Sequence, residues 1–433
     1  MDLQTDLPMP LMYKVRQKLD VPVVKDIAGT VRAELLSIGI DKLVKPGQRI
    51  ALTAGSRGIV NIATILKATA DTLKELGAQP FIVPTMGSHG GATPEGQREV
   101  LRNIGITEES TGVPILSSLE VVPIGTTADG VPVYLDKNAS EADGIVVVAR
   151  VKPHTDFEGP IESGLMKMMV IGLGKHKGAL AAHRGAMTRG FQHTFPSIAR
   201  VVLKQASIVC GLGVIENAYD QTAKIAAVKR EEMEEREMEL LALAKRLIAR
   251  LPLQEMDILL VDEQGKDITG AGMDPNVIGR IQNRASPEPE WPQISRIITR
   301  DLTDSTHGNA TGMGKADFTT KRLFQKIDYA STYINCITGG APEGARIPMI
   351  CDSDKQALVY AMTTIGEKTD KTVRLMWIKN TLELEDVLVS EAFLPEVKNR
   401  QGLQVISGPH KMEFDAEGYL VDYFPRRVPG AAH

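Results

Sequence analysis

Apolar, strand-like runs alternate with helical patterns through the first half of the chain, and this alternation is the strongest constraint on the fold. Residues 49–53 form a short apolar run that ends in a glycine-rich turn. The next segment carries apolar side chains three and four positions apart, as in an amphipathic helix, and Gly77 is placed to end it. Residues 80–85 and 145–151 repeat the strand pattern. Strands separated by helices predict a mostly parallel sheet covered by helices.

The second half repeats this organisation after a long helical segment. Residues 229–251 contain neither glycine nor proline, and their charged residues give way to an apolar stripe. We interpret this segment as a helix that connects two domains, because it is too short for four clean heptads of a coiled coil. Further strands are predicted at 256–261, 294–299 and 372–378, with a helix near 353–365.

The chain has 433 residues, which is long for a single hydrophobic core. The predicted fold class is therefore α/β, with two α/β domains of mostly parallel sheets. The predicted boundaries are an N-terminal domain at 1–228, a connecting helix at 229–252 and a C-terminal domain at 253–433.

Composition excludes several classes of function. The net charge is −4 and only 4% of residues are aromatic, so neither a basic footprint nor a base-stacking surface for nucleic acid is expected. The three cysteines, Cys210, Cys336 and Cys351, form no C-x-x-C pair, which argues against disulfides and a thiolate zinc site. The sequence shows neither a signal peptide nor a membrane-length apolar run, so we expect a cytoplasmic protein without a membrane partner.

Three polar side chains follow three of the strand-like runs. Arg57 lies among glycines in T-A-G-S-R-G, which suits an anion, although a surface arginine in a turn fits equally well. His89 lies in G-S-H-G-G, where glycine lets the backbone approach a ligand; the alternative is an ordinary loop histidine. His154 lies in P-H-T-D, where Asp156 can orient the ring or cap the turn. Because parallel sheets bind ligands beyond the carboxyl ends of their strands, one crevice is expected to collect all three.

Residues 150–184 combine a lysine in an apolar run with an unusual concentration of histidines. His154, His176 and His183 lie within 30 positions, although the whole chain has only eight histidines. Lys167 is flanked by methionines, and a buried lysine is costly unless its charge is paired or removed. It is therefore a candidate covalent anchor, with imidazoles nearby for metal or proton chemistry. The alternatives are a lysine that buries only its stem and a His183 that caps a helix.

Two polar, glycine-rich loops in the second half are candidates for substrate contacts. They span 270–280 and 302–318, and both are too polar and too rich in glycine for a core. The alternative is that both are ordinary surface loops. Their candidate substrate-binding side chains are Asn276, His307, Asn309 and Lys315.

Taken together, these residues resemble the nickel-dependent lactate racemase family over most of the chain. His89 and His154 resemble its two catalytic histidines, and Arg57 resembles the arginine that meets the substrate carboxylate. Lys167 resembles the lysine that holds a nickel pincer nucleotide through an amide-type bond, and His183 resembles the ligand of that nickel. These last two residues lie sixteen positions apart, which is also the family's interval.

The resemblance implies two α/β domains with the active site in the crevice between them. It also implies a racemase or epimerase of a 2-hydroxy acid. Hydride would leave for the cofactor and return on the other face, while the two histidines alternate as acid and base. The implied cofactor is a nickel pincer nucleotide covalently attached at Lys167, and the implied partners are a small-molecule 2-hydroxy acid and the cofactor-maturation enzymes. Ala54 replaces the family's acid before the arginine, and the 270–280 loop replaces one that surrounds the substrate in the lactate enzyme. The expected substrate is therefore a sugar acid or another hydroxy acid rather than lactate.

Three other functions compete with this interpretation. The first is a nicotinamide-dependent dehydrogenase, although the glycine spacing at 172–178 departs from the dinucleotide fingerprint. The second is a non-catalytic protein that binds a nucleotide or a sugar acid. The third is a zinc hydrolase, which the sequence disfavours because it contains no H-E-x-x-H motif.

Overall fold

The computed structural model describes residues 6–56, 59–87, 89–155, 157–283 and 286–424. The chain divides into two compact units. The first unit consists of residues 20–248, and the second combines the N-terminal segment up to residue 19 with the residues from 249 onwards. No helix in these described ranges is long and apolar enough to cross a membrane.

The described strands belong to three sheets, and most of them lie in two large ones. In chain order they are β1 (Met12–Gln17), β2 (Arg49–Ala54), β3 (Gln79–Pro84), β4 (Val121–Thr126), β5 (Pro132–Asp136), β6 (Gly144–Arg150), β7 (Ile208–Glu216), β8 (Thr222–Lys229), β9 (Glu255–Gln264), β10 (Gln293–Leu302), β11 (Phe318–Thr320), β12 (Met349–Cys351), β13 (Leu375–Ile378), β14 (Asp386–Ser390) and β15 (Leu403–His410).

The helices cover or connect these strands. In chain order they are α1 (Ile27–Ser37), α2 (Ile40–Leu43), α3 (Ile62–Glu75), α4 (Pro94–Asn103), α5 (Glu108–Thr111), α6 (Lys137–Ser140), α7 (Leu165–Lys167), α8 (Lys175–Arg189), α9 (Phe191–Gln205), α10 (Met233–Leu247), α11 (Pro275–Ile278), α12 (Lys321–Gln325), α13 (Tyr329–Thr338), α14 (Asp354–Thr363) and α15 (Leu394–Asn399). A π-helix at Met168–Gly172 follows α7 directly. Short 3₁₀ helices lie at Gly90–Ala92, Arg230–Glu232, Asp304–Thr306, Met313–Lys315, Pro342–Ala345 and Glu391–Phe393.

A five-stranded sheet in the order β3-β2-β6-β7-β8 forms the centre of the first unit. The first four strands are parallel, and β8 pairs with β7 in the antiparallel sense. Six of the seven residues of β6 are buried, which explains the continuous apolar run because a strand covered on both faces needs no polar alternation. The chain leaves β2 towards β3 on one side and returns to β6 on the other. The switch point of this sheet therefore lies at the carboxyl ends of β2 and β6.

An eight-stranded mixed sheet forms the second unit, in the order β12-β11-β10-β9-β13-β14-β1-β15. Strands β9 to β13 pair in parallel, whereas β14, β1 and β15 pair in the antiparallel sense. The mostly parallel α/β architecture predicted from the sequence is confirmed. The N-terminal strand β1 lies between β14 and β15, so the segment before residue 20 belongs with the second unit rather than with the predicted 1–228 domain.

The helix around residue 240 belongs to the first unit and packs against its sheet. The sequence predicts one helix over 229–251, whereas β8 extends to Lys229 and α10 spans Met233–Leu247. A Cβ at Gly213 of β7 would lie 3.1 Å from the side chain of Leu240, so this glycine leaves room for the helix on the sheet. The apolar stripe of α10 is therefore buried by this sheet.

Candidate active site

The loops that carry the predicted residues start at neighbouring strands of the first unit. Strands β3, β2 and β6 are adjacent and parallel, and His89 and His154 lie in the loops that follow β3 and β6. Arg57 belongs to the loop after β2 and lies outside the described residues. Because parallel strands share a carboxyl edge, all three loops emerge at the same side of the sheet.

The loop after β2 is fixed on both sides of Arg57. A Cβ at Gly55 would lie 3.1 Å from the methyl group of Met168, the residue that follows Lys167. At the other end, the backbone N–H of Val60 donates to Glu216 at 2.7 Å. Glu216 is buried at the end of β7 and forms an ion pair with Arg150. The arginine loop therefore packs against the segment that carries the candidate anchor lysine.

Lys167 and His154 are in direct contact. The half-buried Nζ atom of Lys167 forms a hydrogen bond with Nε2 of His154. An amine that donates here requires Nε2 to be the unprotonated ring nitrogen. The structure thus brings the candidate anchor and one candidate catalytic histidine together, across thirteen positions of sequence.

An aromatic cluster joins His154 to the helix that carries His183. The ring of His154 stacks on Phe157 at 4.4 Å, and Phe157 stacks on Phe191 at 4.9 Å. His183, in the middle of α8 rather than at its end, meets the edges of Phe191 and Phe195 at 6.0 and 6.1 Å. One contiguous set of rings therefore holds both imidazoles.

A buried carboxylate holds the loop of His154. Glu162 accepts the backbone N–H of His154 at 2.6 Å and that of Gly159 at 2.9 Å. Its side chain also lies 2.6 Å from the amine of Lys245 on α10. These three contacts fix the backbone at His154, because a charged acceptor makes stronger hydrogen bonds than a neutral one. Asp156, the sequence-based candidate to orient this ring, lies outside the described residues.

A second buried carboxylate lies at the start of the turn that carries Lys167. Glu237 of α10 accepts the backbone N–H of Met166 at 2.8 Å, where a negative charge favours a helix N-terminus. Burial raises the pKa of Glu237 to about 7, and hydrogen bonds from the backbone of Met166 and Leu165 partly oppose the rise. A Cβ at Gly164 would lie 2.7 Å from this carboxyl group, so a side chain there would require the carboxyl group to move.

The loop of His89 lies tightly against the first turn of α4. Gly90 has a φ of +66°, and a Cβ there would lie 2.4 Å from the backbone of Gly96. Gly87 faces Ile171 of the π-helix, where a Cβ would have 3.3 Å to the nearest side-chain atom. The loop therefore packs against the segment that follows Lys167, while the side chain of His89 is exposed.

The glycines after Lys167 do not form a dinucleotide-binding turn. That motif needs a strand, a tight glycine turn and then a helix. Here residues 168–172 form a π-helix, and α8 begins at Lys175. The segment therefore lacks the strand that the motif requires.

The polar loops of the second unit contact each other after β9 and β10. Lys315 is buried, with its amine 3.4 Å from the carbonyl oxygen of Ala271, and its own carbonyl accepts from Arg280. Asn309 uses its side-chain oxygen to accept both the N–H and the hydroxyl of Thr311. The structure therefore uses these two side chains to link and shape the loops.

The other two candidates from the second unit lie at turns. Asn276 lies in the first turn of α11, where its side-chain amide is 3.0 Å from Asp274. His307 is exposed and has a φ of +49°. Of the four, His307 is the candidate whose ring is open to solvent.

Sequence reasoning missed residues that hold the site, although their signals are visible in retrospect. Three of the nine phenylalanines fall between residues 157 and 195, which is the signal for the aromatic cluster. Glu237 occupies an apolar position of α10, four residues after the buried Met233 and three before the buried Leu240. A carboxylate in an apolar stripe marks a buried polar contact. Among the described residues, no group of three or more His, Cys, Asp or Glu side chains is arranged to hold a metal.

The fold and this cluster define a two-unit α/β protein whose candidate site lies at the carboxyl edge of a parallel sheet. Residues 4–194 match the family model of the lactate racemase N-terminal domain. This match supports the resemblance drawn from the residues of the chain, and a domain of this kind suggests a racemase-type function.

A solved structure shares the fold. The lactate racemase apoprotein from Thermoanaerobacterium thermosaccharolyticum aligns with 85% of this chain and 94% of its own, with a TM-score of 0.53. The sequence identity is 14%, so this likeness concerns the fold alone. No curated protein matches the sequence.

Proposed function

We propose that this chain is a racemase or epimerase of a 2-hydroxy acid and that it carries a nickel pincer nucleotide on Lys167. The observation that carries the proposal is the contact between Lys167 and His154 within a cluster of rings that also holds His183. The lysine, both imidazoles and the loop that carries Arg57 all belong to the region that matches the lactate racemase N-terminal domain, which supports the proposal.

The residues present fit such a cofactor. The amine of Lys167 is half buried, and converting it to an amide would remove the cost of a charge there while keeping an N–H for Nε2 of His154. The imidazole of His183 is a suitable ligand for nickel and is half buried beside Phe191 and Phe195. We assign Lys167 as the point of attachment and His183 as the metal ligand. When bound, the cofactor would accept and return hydride.

The chain's own residues would supply binding and proton transfer. His89 and His154 would each take or give the proton of the substrate hydroxyl, one for each enantiomer, because the hydroxyl points to opposite sides in the two. Glu162 fixes the backbone of His154, and Phe157 fixes the plane of its ring. Arg57 would hold the substrate carboxylate as the pivot.

We propose a sugar acid or another polar hydroxy acid as the substrate rather than lactate. The two candidate loops of the second unit carry polar side chains, which suit a substrate with more hydroxyl or carboxylate groups than lactate. Asn276, His307, Asn309 and Lys315 remain the proposed contacts, with the solvent-exposed ring of His307 the most accessible.

The test is the intact mass and nickel content of protein co-expressed with the cofactor-maturation enzymes. We expect a nucleotide-sized mass increment and stoichiometric nickel in the wild type, and the loss of both in Lys167→Ala. Lys177→Ala is the matched control, because Lys177 is an exposed lysine on the neighbouring helix. Absence of the increment and of nickel from the wild type would contradict the proposal.

Turnover in deuterated water separates hydride return from simple deprotonation. If hydride returns to C2, the racemised product keeps its original hydrogen, so NMR should show no deuterium at C2. Deuterium at C2 would instead indicate proton abstraction. Formation of a 2-keto acid together with reduced nicotinamide would favour the dehydrogenase, and tight binding without turnover would favour the binding protein.

A further inference from the structure

Lys175, which lies between Lys167 and His183 in the sequence, has no assigned role. Its side chain is completely buried. The amine of Lys175 lies 3.1 Å from Asp136 and 3.2 Å from the side-chain oxygen of Gln97, and it donates to the carbonyl of Pro84 at the end of β3. Burial lowers the pKa of Lys175 and raises the pKa of Asp136, and each effect is opposed by the partner. A buried ion pair of this kind is a weak source of stability, so a positional role is the better explanation.

Gln97 continues this chain of hydrogen bonds into the loop of His89. Its side chain is also completely buried, and its amide nitrogen donates to the carbonyl oxygens of Gly87 and His89 at 3.1 and 3.5 Å. The path therefore runs from Asp136 through Lys175 and Gln97 to the backbone of His89 itself.

We propose that Lys175, acting through Gln97, is the positioning residue that fixes the loop of His89 relative to the helix that carries His183. This inference rests on the proposed function for the role of His89, although the positioning itself does not depend on it. Lys175 is the first residue of α8, so one side chain connects that helix to the end of β3 and to α4.

The local backbone supports this role. Lys175 has a φ of +54°, which is an uncommon and strained conformation for a residue with a side chain. A glycine would adopt this conformation at a lower cost, yet it would leave Asp136, Gln97 and the carbonyl of Pro84 without their shared donor. The position therefore requires the lysine side chain despite its backbone.

The test uses hydrogen exchange of the apoprotein, so it needs neither cofactor nor activity. Gln97→Glu keeps an acceptor for Lys175 but removes both donors to the loop, and Lys175→Met removes the centre of the path. Glu99→Gln is the control, because Glu99 lies on the same helix and faces solvent. The readout is exchange in the peptide that covers residues 87–93, relative to the peptide that covers β2 in the same unit.

We expect Gln97→Glu and Lys175→Met to accelerate exchange in the loop about tenfold without matching acceleration in β2, as the loss of one or two hydrogen bonds predicts. Glu99→Gln should change neither peptide. Unchanged exchange in the loop, or equal acceleration in both peptides, would overturn the proposal.

Activity then separates this inference from the proposed function. If the cofactor-loaded wild type racemises a hydroxy acid, Gln97→Glu should lower kcat about tenfold and leave KM within about twofold, because the loop carries the acid/base rather than the binding groups. An inactive wild type with loop-specific exchange in Gln97→Glu would refute the function and leave the positioning in place.

Discussion

Replacing Glu237 by glutamine should remove a pH-dependent loss of stability from the first unit. The carboxyl group has a higher pKa when folded than the 4.5 of an exposed glutamate, so the folded state holds the proton more tightly. Its contribution to folding is therefore fully present below pH 4.5 and is lost as the pH rises through about 7. Such a difference in pKa corresponds to about 3 kcal/mol in the free energy of unfolding.

The structure gives the glutamine variant a clear expectation. In the wild type, Oε2 accepts the N–H of Met166, while Oε1 has no hydrogen-bond partner among the described residues. Glutamine keeps the acceptor for Met166 and carries no charge at any pH. The variant should therefore be as stable as the wild type near the acidic end of the range and more stable than the wild type above neutral pH.

Native-state hydrogen exchange of the strands of the first unit is the appropriate assay. Both tryptophans, Trp291 and Trp377, lie in the second unit, so tryptophan fluorescence does not report on this one. The opening free energy should fall between about pH 5 and about pH 8, and this fall should be about 2–3 kcal/mol larger in the wild type than in Glu237→Gln. Glu234→Gln is the control, since Glu234 lies on the same helix in an ion pair with Arg200.

Equal pH dependence in the wild type and in Glu237→Gln would refute this reasoning. It would mean that Glu237 keeps an ordinary pKa and that its burial is relieved in solution. A loss of pH dependence in the Glu234→Gln control would also refute it, because the effect would then belong to the general charge of the helix.

Two further predictions concern the loops of the candidate catalytic histidines. Gly90→Ala should destabilise its loop by at least about 1 kcal/mol more than Gly91→Ala. Both have a left-handed φ, but only a Cβ at Gly90 meets backbone within 3 Å, and equal loop exchange in the two variants would contradict this. Phe157→Leu should cost about 1–3 kcal/mol and shift the ring NMR signals of His154, its stacking partner. Unshifted signals would show that stacking on Phe157 does not determine the orientation of the His154 ring.

The sequence predicted much of the fold because its signals are local. Strands were predicted at 49–53, 145–151 and 256–261, and the structure contains β2, β6 and β9 there. Of these, β2 is one residue longer, β6 is shifted by one residue and β9 extends at both ends. The helix that Gly77 was predicted to end is α3, whose last residue is Glu75, and Gly77 follows it with a left-handed φ of +81°. Each of these signals depends on the periodicity of a single element or on the residues at its end. Residues that are close together in the sequence are therefore sufficient to show it.

Pairing between strands that are far apart in the sequence could not be predicted from such local signals. Nothing in residues 12–17 indicates that they form a strand between β14 and β15, nearly 400 positions away. The helix predicted over 229–251 begins four residues later than expected because β8 extends to Lys229 to pair with β7. In both places, tertiary pairing decides the outcome.

The same distinction between local signals and tertiary contacts applies to the candidate site. The sequence by itself determined which loops carry polar groups, that Lys167 lies in an apolar run and that His183 follows sixteen positions later. Only the tertiary structure decided that Nζ of Lys167 contacts His154, that phenylalanines from one helix and a loop join the imidazoles, and that Lys175 is buried. Periodicity records which face of an element is apolar, whereas contact between side chains depends on how elements far apart in sequence pack together.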